Sequence, residues 1–462
     1  MNNDGCLPKQ QCDEDRQKGP TNLIFSFIKS PTLKNTFTNL TWLSADRVVR
    51  LFGAVLVNAW LTRYLGPENN GILSYALAFV GMFSPLAVLG MDAIVIRDIV
   101  RNSAQKDEIL GSAFGLRLAG ALSAILFAVI AIFLVRPHDH LTQVLVIISS
   151  LGLIFQSFDV IDYWFQSQIL SKYTVYARNT AFFALSVLKV SAILMHAEIF
   201  VFVILTSIEL VVASIGLVFM YRKNGNSLRK WQFKFTRAKA LITNSWPIII
   251  SDLAIFAQTR IDQVMIGQFL TNKDVGFYAA AQKISEPLGF IPMIIMSSVF
   301  PVIVKTKEWS EEEYRWRMTN LYRIMFIISM GVCIPIAFFS KQIVFLLYGE
   351  KFAFSGILLM MLIWTRFYAF YGTARSIFIS TENLFRHTLI CSVSGVTVSV
   401  VANYFLIQRM GVYGSIIATH LGFITTIFFI DGISKRTRPN FWAMIDGITT
   451  FYKFSINKAK VS

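Results

Sequence analysis

A small set of charged residues lies inside the apolar runs of this chain, and their types suggest the chemistry. Arg260 and Asp262 fall in one run and Lys283 and Glu286 in the next; Arg366 and Arg375 share a later one. Arg47 and Arg50 open the first run, and Asp92 sits near the end of the second. A guanidinium is a rigid donor fork for phosphate, and an ammonium binds phosphate as a point charge. A carboxylate in such a place can take up and release a proton or a small cation. An ionised group at the bilayer centre costs about 2.5–3.5 kcal/mol, so these groups should face the protein interior or a wet cavity. A cavity lined by Arg47, Arg50, Arg260, Lys283, Arg366 and Arg375 is net positive. It suits an anionic cargo, above all a phosphate or pyrophosphate head group. Internal salt bridges are the plainer alternative. Lys283 and Glu286 can share a helix face. Arg260 and Asp262 cannot pair on a regular helix, so Asp262 either pairs across to another helix or acts as a coupling carboxylate. Asp92 and Glu286 are further candidates for coupling or gating. Arg178, Lys341 and Asp431, near run ends, are expected to snorkel to the interface. Tyr368, Tyr371 and Arg375 form a stripe that could line the cavity, and Tyr163-Trp164-Phe165 reads as an interfacial belt.

The elements that must hold these groups are membrane helices. Of the 462 residues, 55% are hydrophobic and 15% charged, and the mean hydropathy is +0.56. A soluble domain carries about a quarter charged residues. The apolar residues gather in runs of about 20, enough for a helix to cross roughly 30 Å of hydrocarbon. They do not alternate as barrel strands do. Spans are expected at 41–64, 72–96, 112–135, 141–165, 174–195, 199–221, 244–269, 277–304, 322–347, 354–380, 387–407 and 413–431. The fold class is therefore an all-α membrane protein of about twelve transmembrane helices. The polar start is not expected to be a cleaved signal peptide. Apolar stretches at Leu23–Ile28 and 441–456 suit the membrane surface.

Charge sets the orientation. The tails and even-numbered loops hold most of the Lys and Arg. The odd-numbered loops hold Arg63, Arg136, Lys273, Lys351 and Arg409. That asymmetry places both termini in the cytoplasm and accounts for the net charge of +16 without nucleic acid. The linker after the sixth span carries Arg222, Lys223, Arg229, Lys230, Lys234, Arg237 and Lys239. It is a topological anchor or a contact for anionic membrane lipid. The expected organisation is a tail (1–40), a six-helix bundle (41–221), the basic linker (222–243), a second six-helix bundle (244–431) and a basic tail (432–462). The bundles repeat: Leu65, Gly71 and Ala76 recur as Leu270, Gly276 and Ala281, a constant offset of 205 residues. An even number of spans per copy makes this a parallel repeat, whose halves can enclose a cavity and rock about it.

Other chemistries find no support. No phosphate-cradling Walker loop or dinucleotide fingerprint occurs. The histidines are scattered, and Cys6, Cys12, Cys333 and Cys391 show no metal spacing. No cofactor or metal is expected, nor an enzyme.

Four stretches in register carry a family resemblance. They are Arg63-Tyr64-Leu65-Gly66-Pro67-Glu68-Asn69-Asn70-Gly71 with Leu89-Gly90-Met91-Asp92; Phe158-Asp159-Val160-Ile161-Asp162-Tyr163-Trp164-Phe165-Gln166; Arg260-Ile261-Asp262-Gln263 with Val275-Gly276-Phe277-Tyr278; and Asn403 with Gly411-Val412-Tyr413-Gly414 to Thr419. Over residues 40–435 the chain resembles the Wzx-type polysaccharide flippases of the multidrug/oligosaccharidyl-lipid/polysaccharide exporter superfamily, whose fold is MATE-like. The resemblance implies a cargo of undecaprenyl-pyrophosphate-linked oligosaccharide, flipped from the cytoplasmic to the periplasmic leaflet of the bacterial inner membrane for O-antigen or capsule assembly. It implies alternating access driven by an H+ or Na+ gradient, and a glycan polymerase and chain-length regulator as partners. By match to its motif, Arg260 and Asp262 are functional positions; Asp92, Lys283 and Arg375 follow by analogous placement. The rival readings are a small-molecule exporter on the same fold, a membrane glycan polymerase and a scaffold for glycan assembly.

Overall fold

The computed structural model describes the backbone of residues 31–454 and side chains from Gly53 onward, apart from Ser297 and Phe385. The stretch Leu23–Ile28 lies outside the described residues, and so do the side chains of Arg47 and Arg50. The described residues are almost entirely helical, with no strand among them. In hydrocarbon only a helix satisfies its own backbone donors and acceptors, so apolar runs of this length have no other stable form.

Among the described residues, ten helices are long and apolar enough to cross a membrane, and a bent pair, Asn272–Met296 with Ser298–Trp309, makes an eleventh. The first candidate, Gly53–Arg101, has 49 residues. At 1.5 Å per residue that is about 70 Å, more than twice the hydrocarbon thickness. It divides at Gly66, where φ is 68° and ψ 175°, a backbone conformation that a Cβ disfavours. Counted as two crossings, it completes the about twelve spans expected. The second crossing is shorter than expected. Its helix ends at Val88, Leu89 and Gly90 turn with positive φ, and Asp92–Arg101 forms a separate helix. The eighth span is interrupted by a 3-10 turn at Glu286–Gly289 that contains Pro287.

The repeat-related glycines meet each other. A Cβ on Gly71 would lie 1.7 Å from the carbonyl oxygen of Asn272, and one on Gly276 would lie 1.9 Å from that of Pro67. Pro67 and Asn272 are separated by the same 205 residues as Gly71 and Gly276, so the contact is reciprocal, as at a local two-fold axis. Neighbouring groups tighten it. Asn70 Nδ2 donates to the Gly276 carbonyl at 3.1 Å. Arg136 donates to Asn272 Oδ1 at 3.1 Å and to the Gly267 carbonyl, and it stacks 3.9 Å over the Tyr75 ring.

Several buried charges are structural. Arg375 grips Asp431 with two hydrogen bonds of 2.7 Å, and His387 Nε2 lies 2.8 Å from the same carboxylate. Asp431 is fully buried, which corrects the expectation that it snorkels: the pairing with Arg375 removes the need to reach water. Lys341 is exposed, as expected. Arg178 pairs with Asp159 at 3.0 Å and Asp162 at 3.4 Å. Lys189 pairs with Glu209 at 2.7 Å. The expected interfacial belt Tyr163-Trp164-Phe165 is instead buried, with the Tyr163 hydroxyl hydrogen-bonded by Arg117 and Trp164 packed edge-on against Tyr221.

Two outcomes follow for stability in detergent. Gly71→Val and Gly276→Val should each lower the Tm by several degrees, since overpacking costs about 1–3 kcal/mol. Gly331→Val, at a site with open space around the added carbon, should leave it unchanged. Asp431→Ala leaves Arg375 buried without its partner and should cost about 3–5 kcal/mol, whereas Lys341→Ala should cost almost nothing. Equal Tm values across each comparison would contradict the packing described.

Candidate functional site

A cavity of about 410 Å³ lies between the second, fourth and sixth spans on one side and the seventh and eighth on the other. Its charged lining residues are Arg260, Lys283 and Glu286, all from the seventh and eighth spans. Arg260 pairs with Glu286 at 3.0 Å, with about a third of each side chain exposed. Among the described residues Lys283 has no carboxylate in salt-bridge range. Its Nζ donates to Asn70 Oδ1 at 2.8 Å and lies 3.4 Å from Thr62 Oγ1. Asn70 is the residue that also bonds Gly276, so the ammonium is tied to the glycine contact. Gly81 of the second span faces the Arg260 side chain at 3.7 Å.

A smaller pocket of about 70 Å³ adjoins the cavity, and Gln282 and Glu286 line both. Asp262 lines this pocket and is 2% exposed. It has no cation in salt-bridge range among the described residues. Its carboxylate instead accepts hydrogen bonds from Tyr278 Oη at 3.0 Å, Asn403 Nδ2 at 2.8 Å and Thr419 Oγ1 at 2.7 Å. These donors come from the eighth, eleventh and twelfth spans. Thr419 Oγ1 also lies 2.9 Å from the Ser415 carbonyl. One hydroxyl hydrogen cannot serve both acceptors. A proton on Asp262, or a cation between the oxygens, would complete the set. An ionised carboxylate without either is costly in such a place.

A polar chain joins the two spaces. Gln263 Nε2 donates to Gln282 Oε1 at 2.5 Å, and Gln282 Nε2 donates to Glu286 Oε1 at 2.8 Å. Arg260 pairs with that same Glu286 oxygen at 3.0 Å. Arg366 lines the small pocket, where, among the described residues, its guanidinium bonds the Thr365 hydroxyl alone, at 3.0 and 3.2 Å.

The structure thus brings together Arg260, Lys283, Glu286, Asp262 and Arg366. It does not bring Arg375 to them: that guanidinium is consumed by Asp431. The expected stripe of Tyr368, Tyr371 and Arg375 is not a cavity lining either. Tyr371 is fully buried, donates to the Tyr322 carbonyl at 3.2 Å and packs on Phe367. Asp92 is exposed at the start of its short helix and lines neither space. Tyr278, Asn403, Thr419 and Gln282 were not singled out as site residues. Tyr278, Asn403 and Thr419 lie within the stretches that carry the family resemblance, but neutral groups up to 157 positions away along the chain leave no charge signal to follow.

Comparison with known proteins agrees with this architecture. The chain is 24% identical over 392 residues to a Haloferax volcanii protein described as a flippase of low-salt glycan biosynthesis, covering 81% of this chain and 79% of that one. It is 21% identical over 426 residues to a Shigella flexneri protein described as an O-antigen transporter, covering 87% and 98%. Among solved structures, it resembles an inward-facing MATE family transporter with a TM-score of 0.64 and 15% identity, over 88% of this chain and 95% of that one. It resembles the lipid II flippase MurJ in an inward closed conformation with a TM-score of 0.64 and 13% identity, over 91% and 94%. These relatives are transporters, not enzymes, and the fold is theirs: a multi-pass, all-helical membrane protein. Residues 36–307 match the polysaccharide biosynthesis protein family, and the chain belongs to that family.

Proposed function

We propose that this chain is a flippase for lipid-linked oligosaccharide, carrying undecaprenyl-pyrophosphate-linked repeat units from the cytoplasmic to the periplasmic leaflet of the bacterial inner membrane. The observation that carries the reading is the cavity between the two repeats, with Arg260 and Lys283 on one wall and the Asp262 pocket behind it. The names of the curated relatives agree with a glycan cargo. Residues 41–221 and 244–431 act as two bundles joined by the basic linker, with both termini cytoplasmic. The Gly71–Gly276 contact then closes the periplasmic end, because the loops beside it are those poor in Lys and Arg.

The roles follow from the geometry. Arg260 and Lys283 meet the pyrophosphate. Arg260 is released from Glu286 as it does so, and Lys283 exchanges the neutral Asn70 oxygen for an anionic one. Binding of the head group therefore competes with the Lys283–Asn70 bond and weakens the contact that closes the periplasmic end. Arg366 waits beside the smaller pocket. Arg47 and Arg50 belong to the same reading through their place at the opening of the first span. Asp262 takes the coupling ion, H+ or Na+, and communicates with the cavity through Gln282 and Glu286. An ion can bias the two states only through different affinities for them, and the Asp262 donors come from three different helices whose spacing rocking would change. A glycan polymerase and chain-length regulator would use the product on the periplasmic side.

In cells lacking this chain, lipid-linked repeat units should accumulate on the cytoplasmic face. The wild-type chain should restore them to the outer leaflet, and Arg260→Ala and Lys283→Ala should each lower restoration at least tenfold at normal membrane levels. Units that reach the outer face normally without the chain, or full restoration by both variants, would overturn the reading. Asp262→Asn keeps the shape but removes the charge and one acceptor oxygen. In proteoliposomes it should abolish stimulation of flipping by an imposed pH or Na+ gradient; stimulation at the wild-type level would remove Asp262 from the coupling role.

A further inference from the structure

The two walls of the cavity differ in chemistry. All of the charged groups among its described lining residues lie on the seventh and eighth spans. The opposite wall carries Ser74 and Ser84, Ser149 and Gln156, and Thr206 and Ser207, from the second, fourth and sixth spans. Most of these hydroxyls have already spent their hydrogen. Ser84 donates to the Gly81 carbonyl at 2.8 Å, Ser149 to Leu145 at 2.7 Å, Thr206 to Phe202 at 2.8 Å and Ser207 to Ile148 at 3.1 Å. What they can still offer is lone pairs. Ser74 is different: it is 4% exposed and its Oγ has no hydrogen-bond partner. Among the described residues the Gln156 amide is likewise without a partner. Among its described residues the wall therefore presents many acceptors, two unspent donor groups and no cation.

That balance selects a ligand. Sugar hydroxyls are donors as well as acceptors, and an acetamido group adds one N–H and one carbonyl. Such groups can satisfy the lone pairs of Ser84, Ser149, Thr206 and Ser207 while accepting from Ser74 and Gln156. An ionised carboxylate only accepts. Ser74 and Gln156 could serve it, but it has no hydrogen to give the lone pairs of Ser84, Ser149, Thr206 and Ser207, and the cations among the described lining residues stand on the opposite wall, so it would lose much of its water uncompensated. The cavity volume is within the roughly 300–1,000 Å³ typical of sites that enclose one small ligand. The group against this wall is therefore the one adjoining the phosphate held by Arg260 and Lys283. We propose that Ser74, Ser149, Gln156 and Ser207 form a sugar subsite for the residue next to the pyrophosphate, and that this subsite takes an uncharged hydroxyl- or acetamido-bearing sugar and disfavours a uronic acid. The inference rests on the flippase reading above and names the part of the cargo which this wall recognises.

The test uses the full chain in lipid nanodiscs and three probes: undecaprenyl pyrophosphate, the same lipid bearing N-acetylglucosamine, and the same lipid bearing glucuronic acid. The wild-type chain should bind the N-acetylglucosamine lipid about tenfold more tightly than the glucuronic acid lipid, the scale of one or two neutral hydrogen bonds. Ser74→Ala combined with Gln156→Ala should weaken the N-acetylglucosamine lipid about fivefold to tenfold and leave undecaprenyl pyrophosphate unchanged. Gln156→Arg should erase or reverse the preference between the two sugars, a gain that misfolding cannot mimic. Equal binding of the two sugar lipids by the wild type, or a double variant indistinguishable from it, would overturn the subsite while leaving the flippase reading standing. Binding of none of the three lipids would overturn both.

Discussion

The two repeats meet backbone to backbone at a pair of glycines. Gly71 and Gly276 bring each helix against a carbonyl of the other, at distances that no side chain would permit. In a bilayer the hydrophobic effect does not draw helices together, so close packing of small residues and hydrogen bonds must do so. Here the glycines supply the packing, and Asn70, Lys283 and Arg136 supply the bonds. The rest of the site is hung from this crossing. Beside it the Lys283 ammonium rests on Asn70 and Thr62 of the first repeat. A ligand that withdraws Lys283 therefore acts on the crossing itself.

The membrane also sorts the charges into two kinds. Arg375 with Asp431, Arg178 with Asp159 and Asp162, and Lys189 with Glu209 are neutralised in place and hold helices in register. Among the described residues, Lys283, Arg366 and Asp262 have only neutral hydrogen-bond partners. Burial of an ionised group without its counter-charge is expensive in a bilayer, and a protein that keeps three such groups around connected spaces has a use for them. Arg260 and Glu286 stand between the two kinds: paired, yet a third exposed toward the cavity.

Much of this was legible in the residues. Apolar run length located the spans, because hydrocarbon thickness leaves little choice. The break at Leu65-Gly66-Pro67 and the glycine repeat could be read directly, since only glycine fits such a turn or such a crossing. Arg260, Lys283 and Glu286 announced the cavity because charge is rare in apolar sequence. What could not be read was which charges cancel. Arg375 looked like Arg260, and only the packing of the tenth span against the twelfth shows that Asp431 claims it. The donors around Asp262 were hidden for a different reason. Tyr278, Asn403 and Thr419 are ordinary residues singly, and their convergence is a property of three helices, not of any local pattern. The end of the second span at Val88 was missed because the amphipathic helix Asp92–Arg101 continues its apolar run.

The central claim is that the Gly71–Gly276 crossing opens and closes during transport. The most direct measurement is the distance between spin labels at Asn69→Cys and Lys273→Cys, two exposed positions beside the crossing, with the native cysteines replaced and the chain in nanodiscs. A short distance without cargo and a longer population on addition of undecaprenyl-pyrophosphoryl-N-acetylglucosamine would agree with the account. A single short distance under both conditions, in a labelled chain that still flips its cargo, would contradict it.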